Sequence, residues 1–194
     1  MADDFSQLSD PFRRSPFEVV GLLDRAVTYT LGCLHAVTPD ALSRPTPCDE
    51  WDLRALLWHL IDSLTALREA ADDGYVDLEP TAVAPVDPVA AVRDHARQLL
   101  GAWTAQDGRR EVSVAGCPVM TEIVARAGAL EVAVHGWDIA RACGEVRPIP
   151  RALADELYPV ALLMVSDADR PARFAAPVEP ESPTDRLLAY LGRC

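Results

Sequence analysis

The sequence predicts an all-α protein that folds as one antiparallel four-helix bundle. Two observations carry this prediction: apolar residues recur at helical spacing in segments of about 20 residues, and short connections join these segments. The 194 residues are 49% hydrophobic, which is enough for one continuous core. An alternating apolar stretch before the fourth segment adds a small hairpin-like insertion to the prediction.

The first two helices are defined by their apolar faces and by the break between them. Helical spacing of apolar residues from Phe17 to Val37 predicts the first helix, which ends at Thr38-Pro39 because proline disfavours the helical conformation of the residue before it. Residues 43–49 form a loop rich in polar residues and proline. Asp52 then suits the N-cap of a second helix over 53–71.

The third and fourth helices flank the predicted hairpin. Pro88 suits the first turn of a third helix that ends near Thr104. The stretch 108–120 alternates valines with polar residues around a glycine, which favours a hairpin over a helix. A long fourth helix is predicted over 121–143, and Gly144 is placed to close its C-terminus.

The remainder of the chain predicts shorter elements. A fifth helix is expected from Arg151 to Val165, followed by an extended surface segment over 167–181 that is rich in proline, alanine and acidic residues. Ser182-Pro183-Thr184-Asp185 is a helix-start signal, with a capping serine and a proline in the first turn, and predicts a short final helix.

These elements predict one domain with two appended segments. The division comprises a flexible N-terminal segment (1–15), the helical bundle with the candidate metal site (16–166), and a Pro-rich segment with a short C-terminal helix packed on the same domain (167–194).

The charge balance excludes several classes of function. The net charge is -12, so a nucleic acid or an anionic membrane surface would be repelled, and neither is expected as a partner. All 18 cationic residues are arginines, a bias that indicates GC-rich coding and an actinobacterial source. Without lysine the chain can form neither a Schiff-base nucleophile nor a phosphate-binding loop of the lysine type.

The sequence also predicts the cellular location of the protein and the redox state of its cysteines. The acidic start lacks the layout of a secretory signal, and no apolar run reaches the roughly 18 residues of a membrane span, so a cytoplasmic protein is expected. The five cysteines include no CxxC pair. They are predicted to be free thiols, mostly buried as small apolar groups.

The fourth helix carries the residues with chemical potential. At about 100° per residue, Glu131, His135 and Asp138 fall within about 60° of each other and form one polar stripe on an apolar helix. The spacing of Glu131 and His135 would let both side chains bind one small cation, but an ordinary hydrogen bond between them explains the same pattern. Asp138 is the candidate catalytic residue, as a general base or as an acceptor that orients a ligand; pairing with Arg141 is the alternative.

The second helix offers one further candidate. His59 lies at the edge of the apolar arc of that helix, with small residues on its other side, which suits a side chain that lines a cleft. A lone histidine at such a position is more often a packing residue than a ligand. His35 and His95 have no partner at helical spacing and are predicted to be surface or packing residues.

Three blocks in order resemble a known family. The runs TPCDEWDLRALLWHL (46–60), LEVAVHGWDIARA (130–142) and DRLLAYLGR (185–193) are similar to actinobacterial metal-binding proteins related to the N-terminal domain of mycothiol-dependent maleylpyruvate isomerase. That group belongs to the DinB/YfiT-like bundle superfamily, so the resemblance implies a DinB-like four-helix bundle, to which this chain adds the C-terminal helices predicted above.

The resemblance also implies a metal site. By position, His59, Glu131 and His135 match the ligands of the family. Two imidazoles and a carboxylate commonly bind zinc with a coordination position left open, although nickel and ferrous iron accept the same donors. Asp62 and Ser63 stand where the family tends to have small apolar residues or glycine, which predicts a more polar pocket floor. The isomerase has a further C-terminal domain, whereas this sequence ends soon after its predicted bundle. Isomerisation of maleylpyruvate itself is therefore not expected here.

Three functions remain open from the sequence. The first is a metal-dependent enzyme that adds or transfers a low-molecular-weight thiol, mycothiol, to an electrophilic small molecule. The second is a metal-dependent hydrolase that uses water in place of the thiol, and the third is a non-catalytic metal or small-molecule binding protein. A homodimer is possible by analogy with the superfamily.

Overall fold

The computed structural model describes residues 16–48, 51–76, 85–106, 108–170, 174–180 and 185–193. Within these ranges the chain forms six α-helices and three short strands. In chain order they are α1 (Pro16–Cys33), α2 (Leu53–Asp72), β1 (Tyr75–Val76), α3 (Pro88–Ala105), β2 (Glu111–Val114), β3 (Cys117–Met120), α4 (Thr121–Ala142), α5 (Arg151–Met164) and α6 (Arg186–Tyr190).

The four long helices pack as the predicted bundle. α1 lies against α4, and α2 lies against both α3 and α4, so α4 contacts helices on two sides. α5 packs on α4, and α6 packs on α5. One hydrophobic core joins all six helices. None of the helices in the described ranges combines the length and apolar character that a bilayer-crossing helix requires.

The predicted helix boundaries agree closely with the structure. Asp52 caps α2 as predicted, because its Oδ1 accepts a hydrogen bond from the Ala55 backbone N–H at 2.8 Å. Asp87 caps α3 in the same way. The first helix is shorter than predicted, since it ends at Cys33 and continues as a 3₁₀ turn over Leu34–Ala36.

The C-terminal predictions are tested in part. The segment predicted to be extended begins with a 3₁₀ turn over Asp167–Asp169, and residues 175–180 are exposed without regular structure. The short final helix is present as α6. The capping residues proposed at 182–184 and the N-terminal segment 1–15 lie outside the described residues.

The predicted hairpin is present. β2 pairs with β3 in antiparallel register, from Glu111 opposite Met120 to Val114 opposite Cys117. A third strand, β1, adds to this hairpin in parallel with β2. The sequence did not predict β1, because two residues are too few to show an alternating pattern. Val76 and Val112 are buried, and the sheet forms a small second cluster of apolar side chains with Ala70 of α2.

α1 and α4 approach each other closely around Gly136. A Cβ atom built at Gly136 would lie 2.4 Å from Thr30 Oγ1 and 3.0 Å from Thr30 Cα. The Thr30 hydroxyl donates a 2.7 Å hydrogen bond to the Val132 carbonyl and so links the two helices at this point. Gly136 follows His135 directly. The close approach of α1 and α4 therefore also fixes how deeply the polar stripe of α4 lies in the bundle.

Substitution of Gly136 by alanine should therefore destabilise the bundle. The added methyl group would force α1 and α4 apart, and overpacking of this kind costs about 1–3 kcal/mol. Urea denaturation followed by circular dichroism measures the change in the free energy of unfolding.

Gly101→Ala is the matched control for this substitution. Gly101 also lies within a helix, but apart from its chain neighbours and the backbone of its own helix no atom is within 4 Å of the position that a Cβ would take there. Alanine should therefore stabilise the protein by up to about 1 kcal/mol. Equal effects of the two substitutions would contradict the close approach.

Candidate metal centre

Side chains from two helices converge at one point on the bundle. His59 of α2 lies 72 residues before Glu131 of α4, and Glu131 lies 4 residues before His135, yet the three side chains form a continuous chain of contacts. His59 Nε2 lies 2.6 Å from Glu131 Oε1, and His135 Nε2 lies 3.0 Å from the same oxygen. The two imidazole rings are nearly perpendicular, with centroids 5.0 Å apart.

The donor set fits a small divalent cation. One ligand atom from each of His59, Glu131 and His135 lies within 4.8 Å of the others. Ligand atoms around a tetrahedral zinc ion are separated by roughly 3.4 Å, which follows from metal–ligand distances of about 2.1 Å. The two separations at Glu131 Oε1, 2.6 Å to His59 Nε2 and 3.0 Å to His135 Nε2, are within about 1 Å of that value. Both the distances and the chemistry of the donors are therefore suitable for zinc, nickel or ferrous iron.

The centre is open on one side and closed on the other. The side chains of His59 and Glu131 are each 37% exposed, whereas those of His135 and Asp138 are 8% and 0% exposed. The candidate site is therefore open to solvent beside His59 and Glu131 and closed where α4 carries His135 and Asp138; the open side is termed the cleft. A cation held there by three protein ligands would keep an accessible coordination position.

Asp138 lies behind His135, on the side away from the cleft. Its Oδ2 is 3.0 Å from His135 Nδ1. A carboxylate can only accept hydrogen bonds, so Nδ1 carries the proton and the Nε2 lone pair of a neutral His135 is directed at the cleft. Of the two predicted roles, the geometry supports the acceptor that orients a ligand, because a fully buried carboxylate cannot reach a substrate. Arg141, the alternative partner, instead lies over the Trp137 ring.

The charges of these groups depend on each other. Burial raises the pKa of Glu131, but the charge and hydrogen bonds of His135 and His59 outweigh it and hold that pKa well below its usual range. Burial lowers the pKa of His135, but Glu131 and the hydrogen bond to Asp138 raise it well above its usual range. Burial likewise raises the pKa of Asp138, and its contacts with His135 and Arg193 lower it overall.

A loop before α2 covers part of the site and was not predicted to do so. The Thr46 backbone N–H donates to the Trp51 carbonyl at 3.2 Å, and the Thr46 hydroxyl contacts the Cys48 and Trp51 carbonyls, so the loop is closed on itself. The Trp51 indole is thereby held 4.7 Å from the His59 ring and 6.5 Å from the His135 ring, measured between centroids.

Cys48 of the same loop lies behind His135. Its Sγ is 3.3 Å from Asp138 Oδ2 and 3.9 Å from His135 Nδ1. These three residues form a second group with donor atoms close enough for a metal. However, Nη2 of Arg193 lies 3.3 Å from the Cys48 sulfur, so a guanidinium cation already provides the positive charge at that position.

Sequence reasoning missed Cys48, Trp51 and Arg193. None of the cysteines has a histidine beside it in sequence, and the histidine that approaches Cys48 is 87 residues away. All three residues lie within the blocks that carry the family resemblance, and this was the available signal. The polar contribution predicted for Ser63 is present in the structure, because Ser63 Oγ of α2 donates to Glu131 Oε1 at 3.2 Å.

The other predictions for histidine and cysteine are tested by the same contacts. His35 Nδ1 contacts the Gly32 carbonyl, and His95 Nδ1 contacts the Thr65 hydroxyl, so neither approaches the centre. The four cysteines in the described part of the chain are free thiols, as predicted. The prediction that they are mostly buried is wrong: Cys33 is buried, Cys117 on the hairpin is exposed, and the other two are intermediate.

Comparison with known proteins identifies a family that this chain matches. Residues 23–140 match the model of the mycothiol maleylpyruvate isomerase N-terminal domain. This span includes all three candidate ligands and Asp138. Two uncharacterized proteins of Mycobacterium tuberculosis, Rv0738 of strain H37Rv and MT0763 of strain CDC 1551, are each 28% identical over 175 residues, which cover 87% of this chain and 94% of theirs.

Solved structures agree on the fold. The crystal structure of the mycothiol-dependent maleylpyruvate isomerase matches with a TM-score of 0.61 at 16% identity, and the match covers 76% of this chain and 68% of that one. A histidine-to-alanine variant of that enzyme gives a TM-score of 0.60 over the same coverage. The predicted DinB-like bundle is thereby confirmed.

The raised pKa of His135 predicts that zinc binding to chelator-treated protein releases a proton. His135 should be protonated near neutral pH, and an imidazolium cannot bind a metal, so zinc affinity should rise with pH up to the pKa of His135. Isothermal titration calorimetry at one pH in two buffers of different ionisation enthalpy measures the released protons. Identical heats in the two buffers would contradict the prediction.

Proposed function

Since the chain belongs to the mycothiol maleylpyruvate isomerase N-terminal domain family, we propose that it is a metal-dependent enzyme that transfers mycothiol to an electrophilic small molecule. The observation that carries this proposal is the convergence of His59, Glu131 and His135 at an open cleft. We further propose a cytoplasmic location, because free thiols and a thiol cosubstrate both require a reducing compartment.

The openness of the centre supports an enzyme rather than a purely structural metal site. Structural zinc sites are normally closed by four protein ligands, whereas catalytic sites commonly have three and leave a position for a reactant. In the described part of the chain, three donors face the cleft, and the two other donors nearby, Cys48 and Asp138, lie on the Nδ1 side of His135. The sulfur of Cys48 is therefore poorly placed to complete the set.

We assign the residues at this centre separate roles. His59, Glu131 and His135 would hold the cation, Asp138 would fix the orientation of His135, and Ser63 would orient Glu131 through its hydroxyl. When bound, a divalent cation supplies Lewis acidity that lowers the pKa of a thiol, so that the thiolate is present near neutral pH. The Trp51 indole beside the two imidazoles would exclude water from one side of the cleft.

The proposed transfer balances as a nucleophilic substitution. The S–H bond of the thiol breaks, and its proton passes to solvent at the exposed side of the cleft. The sulfur electron pair forms a bond to the electrophilic carbon. A leaving group departs from that carbon with its bonding electrons and takes up a proton, so no oxidant or reductant is required.

Removal of one ligand should abolish stable metal binding. Protein purified without chelator or nickel resin should contain about one equivalent of metal, and His59→Ala should lose it. The affinity should fall by more than about 100-fold, because loss of an outer-shell partner alone costs about 10- to 100-fold. Inductively coupled plasma mass spectrometry measures the metal content.

His35→Ala is the matched control for this variant. It removes an imidazole whose ring contacts the Gly32 carbonyl instead of the centre, so the metal content should not change. A full equivalent of metal in His59→Ala would remove His59 from the site.

The thiol reaction is tested by product analysis. Incubation of the metal-loaded protein with mycothiol and a panel of electrophiles should yield thioether adducts, detected by mass spectrometry. The rate should fall by at least about 100-fold in His135→Ala, because that variant lacks a proposed metal ligand. Chelation followed by zinc addition should remove and then restore the activity. Products that contain water in place of sulfur would identify a hydrolase, and absence of any turnover with metal retained would favour a binding protein.

A further inference from the structure

A residue near the C-terminus reaches the buried side of the candidate centre. Arg193 Nε lies 2.9 Å from Asp138 Oδ1, and Arg193 Nη2 lies 3.0 Å from Asp138 Oδ2. The two nitrogens therefore bind the two oxygens of one carboxylate in a fork, which is the strongest geometry for this ion pair. Asp138 Oδ2 also accepts a hydrogen bond from His135 Nδ1. The Arg193 guanidinium and the candidate metal ligand His135 therefore bind the same carboxylate.

The backbone at the C-terminal end holds Arg193 in place. Leu191 is 2% exposed and anchors the segment in the core. Gly192 has a φ of +72°, and a Cβ there would lie 2.7 to 2.8 Å from atoms of Ala175, so this turn requires glycine. The Arg193 N–H then donates to the Leu188 carbonyl at 2.9 Å. The turn is thus fixed at both its backbone and its side chains.

The electrostatic reason for the contact is the burial of Asp138. Its side chain is 0% exposed, and that of Arg193 is 11% exposed. A carboxylate at such a depth is costly unless a cation and hydrogen bonds compensate it. Without Arg193, Asp138 would lose the fork on both oxygens and would keep the weaker contacts of Oδ2 with the His135 imidazole and the Cys48 thiol.

We propose that Arg193 is a positioning residue for the metal centre: it fixes the place and the orientation of the Asp138 carboxylate, and Asp138 in turn holds the His135 Nδ1–H so that Nε2 faces the cleft. This inference rests on the metal site proposed above. It assigns the C-terminal segment a role in metal affinity, although the Arg193 side chain lies on the buried side of the centre, away from the cleft.

The test compares zinc affinity in variants of Arg193. Arg193→Gln removes the charge and should weaken zinc binding about 10-fold, the lower end of the range for outer-shell partners. Arg193→Lys keeps the charge without the fork and should give a smaller loss. The visible absorption bands of the Co²⁺-substituted protein should shift in Arg193→Gln, since they report the geometry at the ion itself.

Arg186→Gln is the matched control, because Arg186 lies on α6 and its guanidinium packs over the Tyr158 ring away from the centre. The variant removes the same charge from the same C-terminal segment and should leave both zinc affinity and the Co²⁺ spectrum unchanged. Circular dichroism of each variant establishes that it is folded before the affinity is compared.

A double-mutant cycle with Asp138→Asn decides whether Arg193 acts through Asp138. If it does, Arg193→Gln should lower affinity about 10-fold in the wild-type background and have little further effect in the Asp138→Asn background. Equal losses in both backgrounds, or a lowered melting temperature with unchanged affinity and spectrum, would overturn the inference and leave the metal site intact. Failure of the wild-type protein to bind zinc or Co²⁺ would overturn both proposals.

Discussion

The structure depends on how the bundle accommodates charged groups on a helix that is buried on nearly every side. α4 carries Glu131, His135 and Asp138 on one stripe, and the residues from 132 to 140 are all buried. Each charged group is compensated by another element: His59 from α2 contacts Glu131, and Arg193 from the C-terminal segment contacts Asp138. Burial of uncompensated charges would cost several kcal/mol each, so these contacts stabilise the folded bundle.

The exposure of the charged side chains increases from one side of the centre to the other. Asp138 is fully buried, His135 is nearly so, and Glu131 and His59 face solvent in part. At the buried end the Asp138 carboxylate is bound on both oxygens, whereas the exposed end is accessible to a ligand. A site with a fixed inner side and an open outer side is suited to hold a cation while a reactant enters and leaves.

The close packing of α1 on α4 supports this arrangement from the opposite face. Gly136 allows the Thr30 side chain to approach the α4 backbone, and the Thr30 hydroxyl binds the Val132 carbonyl. α4 is therefore held between α1 and α2, and its polar stripe is presented to the cleft at a defined depth. The family match extends over these elements, from residue 23 in α1 to residue 140 near the end of α4.

The sequence by itself determined the helical bundle, the hairpin, the capping of α2 by Asp52 and the identity of the polar stripe on α4. These features are local: each depends on periodicity or on a cap within one segment, where spacing along the chain fixes spacing in space. The strand β1 was not predicted because two residues are too few to show a period.

Only the tertiary structure decided which distant residues contact the polar stripe of α4. His59 lies 72 residues from Glu131, and Arg193 lies 55 residues from Asp138. No spacing pattern distinguishes Arg193 from the other arginines, and Cys48 is distinguished from the other cysteines only by its place in a block of the family resemblance. The physical reason is that the cation that pairs with a buried carboxylate is the one that packing of the helices places beside it. The separation of two residues along the chain does not reveal whether packing will bring them together.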